Sequence, residues 1–215
     1  MFDNIPYLPY ILSAFMGIGL AAATGFRVFL PMFAVSLASY MGWIPMNESF
    51  QWLAGLPVLI TTGIATVVEI LAYYIPVIDH LLDTMSVPMA TLAGSVMFAS
   101  QFADIGTFPQ WTLALIAGGG TAAAISSGFA GTRAASTATT GGLGNSVVAT
   151  TETAGAGLMS ILAMAAPIIA FIVTIILIVI VLVLGRKLWR KFRNFKSDQN
   201  AKTINIEAVD RKNLE

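Results

Sequence analysis

The stretch from Leu158 to Leu184 limits what this chain can fold into more than any other. It contains no charged residue, and its only polar side chains are Ser160 and Thr174. A transmembrane helix needs about 20 consecutive apolar residues, so this stretch predicts a membrane span. A basic segment begins at Arg186, directly after it. By the positive-inside rule, this end of the chain is predicted to be cytoplasmic.

The composition of the whole chain is also that of a membrane protein. Of its 215 residues, 57% are hydrophobic and 10% are charged, whereas about 25% are charged in ordinary soluble domains. The length fits one bundle of about five to seven spanning or half-spanning helices. There is no cysteine and only one histidine, which excludes disulfides, thiolate metal sites and multi-histidine sites.

The predicted fold is an all-α polytopic transmembrane helix bundle with broken or re-entrant helices. The transmembrane domain is expected to cover residues 10–195, between an N-terminal segment (1–9) and a polar tail (196–215) that is predicted to be disordered. Spans are predicted at about 10–23, 26–41, 57–75, 77–102 (broken at Pro88), 111–130 and 157–185, with a half-spanning or re-entrant element at 132–150.

The two halves of the chain show a faint similarity. Arg27 and Arg133 each lie near a break rich in small residues, and a glutamate follows each of them. One interpretation of this similarity is a weak inverted repeat, which would bring both breaks to the bilayer midplane.

Ionisable residues between two apolar segments mark the first candidate site, Glu69, Asp79, His80 and Asp83. Such residues in a membrane usually face a protein interior or a water-filled cavity. Thr62, Thr66, Glu69 and Tyr73 are predicted to share one helix face. The carboxylates and the imidazole suggest a proton site or a divalent-cation site. The alternative is that Asp79, His80 and Asp83 only cap a short helix at the membrane interface.

The Thr- and Gly-rich residues 132–145 mark a second candidate site. Arg133, Thr137 and Thr140 are predicted to share a helix face that leads to Asn145 in a glycine turn. Their oxygens could line an ion pathway, or the small residues could only allow close helix packing. Arg27 and Arg133 could bind an anionic solute at helix N-termini, or each could extend its charged end to a membrane interface or neutralise an acid.

Three motifs resemble a known family. They are Gly-Leu-Ala-Ala-Ala-Thr-Gly-Phe-Arg-Val-Phe-Leu-Pro at 19–31, Ile-Pro-Val-Ile-Asp-His-Leu-Leu-Asp-Thr at 75–84 after Glu69, and Ala-Ser-Thr-Ala-Thr-Thr-Gly-Gly-Leu-Gly-Asn at 135–145. Together they are similar to a family of bacterial multi-pass membrane proteins known only as a domain of unknown function. The resemblance implies an inner-membrane protein and no particular chemistry.

The leading hypothesis is a small-solute or ion transporter or channel in the bacterial inner membrane, with a polar site near the bilayer midplane. The expected partners are the lipid bilayer, a small ion or solute and a second copy of the chain, with no nucleic acid. A proton or divalent cation is the expected cofactor, and no enzymatic activity is expected. Two alternatives are a non-transporting scaffold with structural buried charges and an intramembrane metalloenzyme using Asp79, His80 and Asp83.

Overall fold

The structure is a computed structural model that describes residues 7–102, 106–187 and 190. All regular secondary structure in these residues is helical, which confirms the predicted all-α class. The helices are α1 Leu8–Phe26, α2 Phe29–Tyr40, a 3-10 helix Glu48–Ala54, α3 Leu56–Ala72, α4 Pro76–Ala99, α5 Thr107–Leu113, a π-helical segment Ala114–Gly119, α6 Gly120–Thr140, α7 Asn145–Ala165 and α8 Pro167–Lys187.

Five helices of the described chain are long and apolar enough to cross a membrane. They are Leu8–Phe26, Leu81–Ala99, Thr107–Thr140, Asn145–Ala165 and Pro167–Lys187. The 3-10 helix and α3 pass the same test together and are bent by 59° at their junction, which would make a sixth span. The chain is therefore a multi-pass membrane protein whose outer surface contacts the lipid bilayer.

The chain divides into a unit of Met1–Ile178 and a unit of Val179–Glu215. In the first unit, α1 packs against α4, α6 and α7, and α2 packs against α3. Small residues allow some of these helices to approach closely. A Cβ atom on Gly94 of α4 would lie 2.5 Å from the Cβ of Ala122 on α6. The described residues of the second unit continue α8.

The structure differs from the predicted spans in several places. The helix α4 runs through Pro88, so the expected break there is wrong. Proline removes one backbone hydrogen bond, but packing against α1 and α6 holds the helix together. The break between the first two spans falls at Arg27 and Val28, after the Thr24-Gly25 pair where it was expected.

Two more differences lie after residue 130. Residues 132–150, where a half-spanning or re-entrant element was expected, form the end of α6, a turn and the start of α7. Gly141 and Gly142 make that turn with φ of +64° and +92°, values that favour glycine. The span predicted at 157–185 is divided at Ala166, because Pro167 cannot continue the hydrogen bonding of α7. The tail at 196–215 lies outside the described residues.

Candidate functional site

Arg133 on α6 lies at the centre of a group of charged side chains that are buried apart from Asp83, which is partly exposed. Its Nε donates a hydrogen bond to Oε1 of Glu152 at 3.0 Å, and its NH2 group donates to the other oxygen of that carboxylate. Its NH1 group donates to Oδ1 of Asp79 at 2.7 Å and to Oδ1 of Asp83 at 3.0 Å. A single guanidinium therefore connects α6 to α4 and α7 through charge-assisted hydrogen bonds.

Arg27, in the break between α1 and α2, joins the same group from the other side. Its Nε donates to the hydroxyl of Thr153 at 3.2 Å, and its NH2 group donates to the carbonyl of Ala149 at 2.9 Å. The NH2 group also lies 3.7 Å from Oε2 of Glu152. The two arginines thus share one carboxylate. The NH1 group of Arg27 is buried and has no hydrogen-bond partner among the described residues.

The ring of Tyr73 contacts both arginines. The guanidinium carbon of Arg27 lies 3.9 Å from the ring centroid, and that of Arg133 lies 4.0 Å from it. An aromatic face attracts a cation, and the attraction is stronger where water is excluded. Tyr73 therefore helps to hold two like charges close together inside the bundle.

Glu69 on α3 caps the N-terminus of α2. Its Oε1 accepts from the amide of Val28 at 2.9 Å, and its Oε2 accepts from the amide of Phe29 at 3.0 Å. The first amides of a helix have no partner within the helix, and a negative charge there is favoured by the helix dipole. Glu69 thereby fixes the break that carries Arg27.

We name Arg27, Glu69, Asp79, Asp83, Arg133 and Glu152 the charge cluster. It contains two arginines and four carboxylates, so it would carry two excess negative charges if all six groups were ionised. A cavity of about 10 Å³ adjoins it, lined in part by Asp83, Arg133 and Glu152. That volume is about the room that one water molecule needs.

Several residues predicted for the site lie elsewhere. Thr62 and Thr66 are buried on the same face of α3 as Glu69, but their hydroxyls donate to carbonyls of their own helix at 2.7 Å. The hydroxyl of Thr140 closes the turn after α6 by accepting from the amide of Gly144. The side chain of His80 lies outside the described part of the structure.

Of the other predicted residues, Asn145 contacts the charge cluster, and Thr137 contacts Asn145. The Asn145 side-chain amide donates to Oδ2 of Asp79 at 2.9 Å and to the hydroxyl of Thr137 at 3.2 Å. The site prediction missed Glu152 and Tyr73. Glu152 is the one acidic residue between Ala114 and Lys187, a signal that could have paired it with Arg133.

The arrangement resembles an ion-pair network more than a metal centre. No group of three or more His, Cys, Asp or Glu side chains that could hold a metal occurs in the part of the chain that the structure describes. Three of the four carboxylates lie beside Arg133, and Glu69 lies on two backbone amides. A site built from Glu69, Asp79 and Asp83 would have to give up these contacts.

The charge cluster lies well inside the bundle. Tyr40 ends α2 and is exposed, with exposed Trp43 and Trp52 close in sequence, as is typical of a membrane interface. From that end, α2 rises about 18 Å to the break at Arg27. This length of helix is more than half of the hydrocarbon thickness of a bilayer, about 30 Å.

Fold and site together define a multi-pass α-helical membrane protein with a buried network of charges. A family model described as "Domain of unknown function (DUF4126)" matches residues 14–187. The chain therefore belongs to this family, as the three motifs indicated. Searches of curated proteins and of solved structures find no match to the chain.

Proposed function

We propose that this protein is a proton-linked transporter or channel for a small ion or solute, and not an enzyme. The observation that carries the proposal is the charge cluster, in which two arginines face four carboxylates inside a membrane bundle. An excess of buried negative charge is balanced most simply by protons or a cation. Groups that exchange protons or cations at membrane depth are typical of pumps and transporters.

Stability alone is a weak reason to bury so many charges. Removing a carboxylate and a guanidinium from water costs several kcal/mol per ion, and apolar side chains of similar volume often stabilise a core as well or better. Arg133 is 2% exposed and Glu152 is 2% exposed. A role in ion exchange gives a reason for burying these charges that packing does not.

The proposed mechanism depends on the hydrogen bonds from Arg133 to three carboxylates on two helices. When Asp83 or Glu152 takes up a proton, its hydrogen bond to Arg133 loses one charge and weakens. The contacts that join α6 to α4 and α7 are then weaker. If the two charge states favour different helix arrangements, protonation shifts the population between them and alternates access to the site. The one-water cavity offers a route for the proton to reach these groups.

The proposed location is the bacterial inner membrane, with the C-terminus in the cytoplasm. Its support is the basic segment from Arg186 to Arg193, directly after the last apolar stretch.

A structural role is the second candidate, and specific contacts favour it. Glu69 acts as a helix cap, and the other three carboxylates of the charge cluster contact Arg133. Such a network could hold a scaffold together without moving any ion. The two functions differ in whether flux occurs, which a reconstituted system measures.

The test uses the full chain in liposomes that contain a pH-sensitive dye. Gradients of Na⁺, K⁺, Li⁺, Mg²⁺ and inorganic phosphate are imposed one at a time. We expect at least one of them to drive a change of internal pH, at a rate at least tenfold lower for Glu152→Gln. Thr151→Ala, an exposed neighbour on the same helix, is the matched control and should behave as wild type.

Two results would contradict the proposal, one for transport and one for the role of the charge cluster. If the wild type moves no protons with any gradient while Glu152→Gln is poorly folded, the structural role is favoured over transport. If Glu152→Gln keeps the full flux, the charge cluster is not the pathway.

A further inference from the structure

A second, larger cavity lies beside the charge cluster. Its volume is about 160 Å³, and residues of α2, α3 and α4 line it, among them Phe29, Ala65, Glu69, Tyr73 and Leu82. The helix α3 packs against α2 and not closely against α4, which leaves this space between the two helices. The walls are mostly apolar, and the carboxylate of Glu69 is the one acidic group among them.

Glu69 differs from the other three carboxylates of the charge cluster. Asp79, Asp83 and Glu152 each lie within 4 Å of an arginine nitrogen, whereas Glu69 has no such ion pair among the described residues. Its two hydrogen bonds come from backbone amides, which are neutral. Each carboxylate oxygen has a second lone pair and can accept another donor. A buried carboxylate, 8% exposed, is therefore open to a cation from the cavity side.

The size and lining of the cavity select the kind of cation. An apolar cavity of about 150 Å³ holds a benzene ring, so this one has room for a small organic group. The apolar walls offer no hydrogen-bond partners to the water shell of a hydrated metal ion, and the negative charge of Glu69 would repel an anion. An organic ammonium with an apolar substituent matches both the apolar walls and the carboxylate of Glu69. The ring of Phe29 offers a further favourable surface to a cation.

We propose that this cavity binds a small organic cation, an amine with an apolar or aromatic group, with its ammonium at Glu69. The inference rests on the proposed transport function and names its substrate class. Tyr73 and Ser86 line both this cavity and the one-water cavity at Asp83 and Glu152. A cation bound at Glu69 is thus one side chain away from the groups that exchange protons, as substrate–proton exchange requires.

Binding is tested on the purified full chain by calorimetry with two probes of equal shape, benzylamine and benzyl alcohol. Benzylamine carries the positive charge and benzyl alcohol does not. We expect benzylamine to bind at least tenfold more tightly. Ala65→Leu places a larger side chain in the cavity and should weaken benzylamine binding at least tenfold. Val67→Leu adds bulk at an exposed position of the same helix and should leave binding unchanged.

Equal binding of the two probes would overturn the role of Glu69, and unchanged affinity in a folded Ala65→Leu variant would overturn the location. The outcome is separable from that of the flux test. If ion-driven proton flux occurs but benzylamine does not bind, only the substrate class fails. If benzylamine binds as described but no flux is found with either ions or benzylamine, the transport function fails and the site remains.

Discussion

Replacing Glu69 by glutamine tests whether this carboxylate holds the α1–α2 break in place. Glutamine has the same length, but its side chain offers one oxygen and one NH₂ group. It can accept from only one of the two amides, Val28 or Phe29, that Glu69 now serves. The other amide would face the NH₂ group of the glutamine, which is also a donor, and would lose its hydrogen-bond partner.

The expected loss follows from these two contacts. One unsatisfied buried amide costs about 1–3 kcal/mol. Loss of the negative charge at the start of α2 removes a further contribution of about 0.3–1 kcal/mol. We therefore expect Glu69→Gln to lower the free energy of unfolding by about 2–4 kcal/mol, since the break also positions Arg27 and its contacts on α7.

The free energy of unfolding can be measured by titrating the protein from mild micelles into dodecyl sulfate while tryptophan fluorescence is followed. Thr61→Ala is the control, because Thr61 is exposed on the same helix and bonds only to that helix. It should stay within about 0.5 kcal/mol of the wild type. A Glu69→Gln variant that also stays within this range would refute the capping role.

Three further predictions concern the same unfolding measurement. Arg133→Lys should lose about 2–4 kcal/mol, because one ammonium cannot replace a planar group that bonds three carboxylates; a loss under 1 kcal/mol would contradict the geometry. Gly94→Ala should lose about 1–3 kcal/mol, because its Cβ would lie 2.5 Å from that of Ala122. Gly131→Ala, with nothing within 4 Å, should instead be neutral or gain up to about 1 kcal/mol. Tyr73→Phe should keep the contact with both guanidinium groups, and Tyr73→Leu should lose it. We expect the free energy of unfolding of Tyr73→Leu to be lower than that of Tyr73→Phe by about 1–2 kcal/mol. Equal stability of the two variants would exclude a cation–π contribution.

Much of the fold could be predicted because its signals are local. Apolar length indicated the spans, and the spacing of Thr62, Thr66, Glu69 and Tyr73 indicated one buried face, which the structure confirms. Proline was the misleading signal. Pro88 continues a helix and Pro167 begins one, and only tertiary packing decides between these outcomes.

The site was harder to predict because its contacts are distant in sequence. Arg133 is 54 residues from Asp79 and 50 from Asp83, and no periodicity links them. The role of Glu69 depends on where α2 begins, which the sequence placed a few residues too early. Composition could indicate buried charges, but the choice of partners needed the packing of α4, α6 and α7.

The central claim is that the charge cluster exchanges protons. Infrared spectroscopy of the protein in lipid films measures it directly, because a protonated carboxyl group has its own C=O stretching band in a region free of protein backbone absorption. Between pH 5 and pH 9, we expect a carboxyl band that titrates in the wild type and is reduced in both Asp83→Asn and Glu152→Gln. A spectrum with no titrating carboxyl band, or one that both variants leave intact, would contradict it.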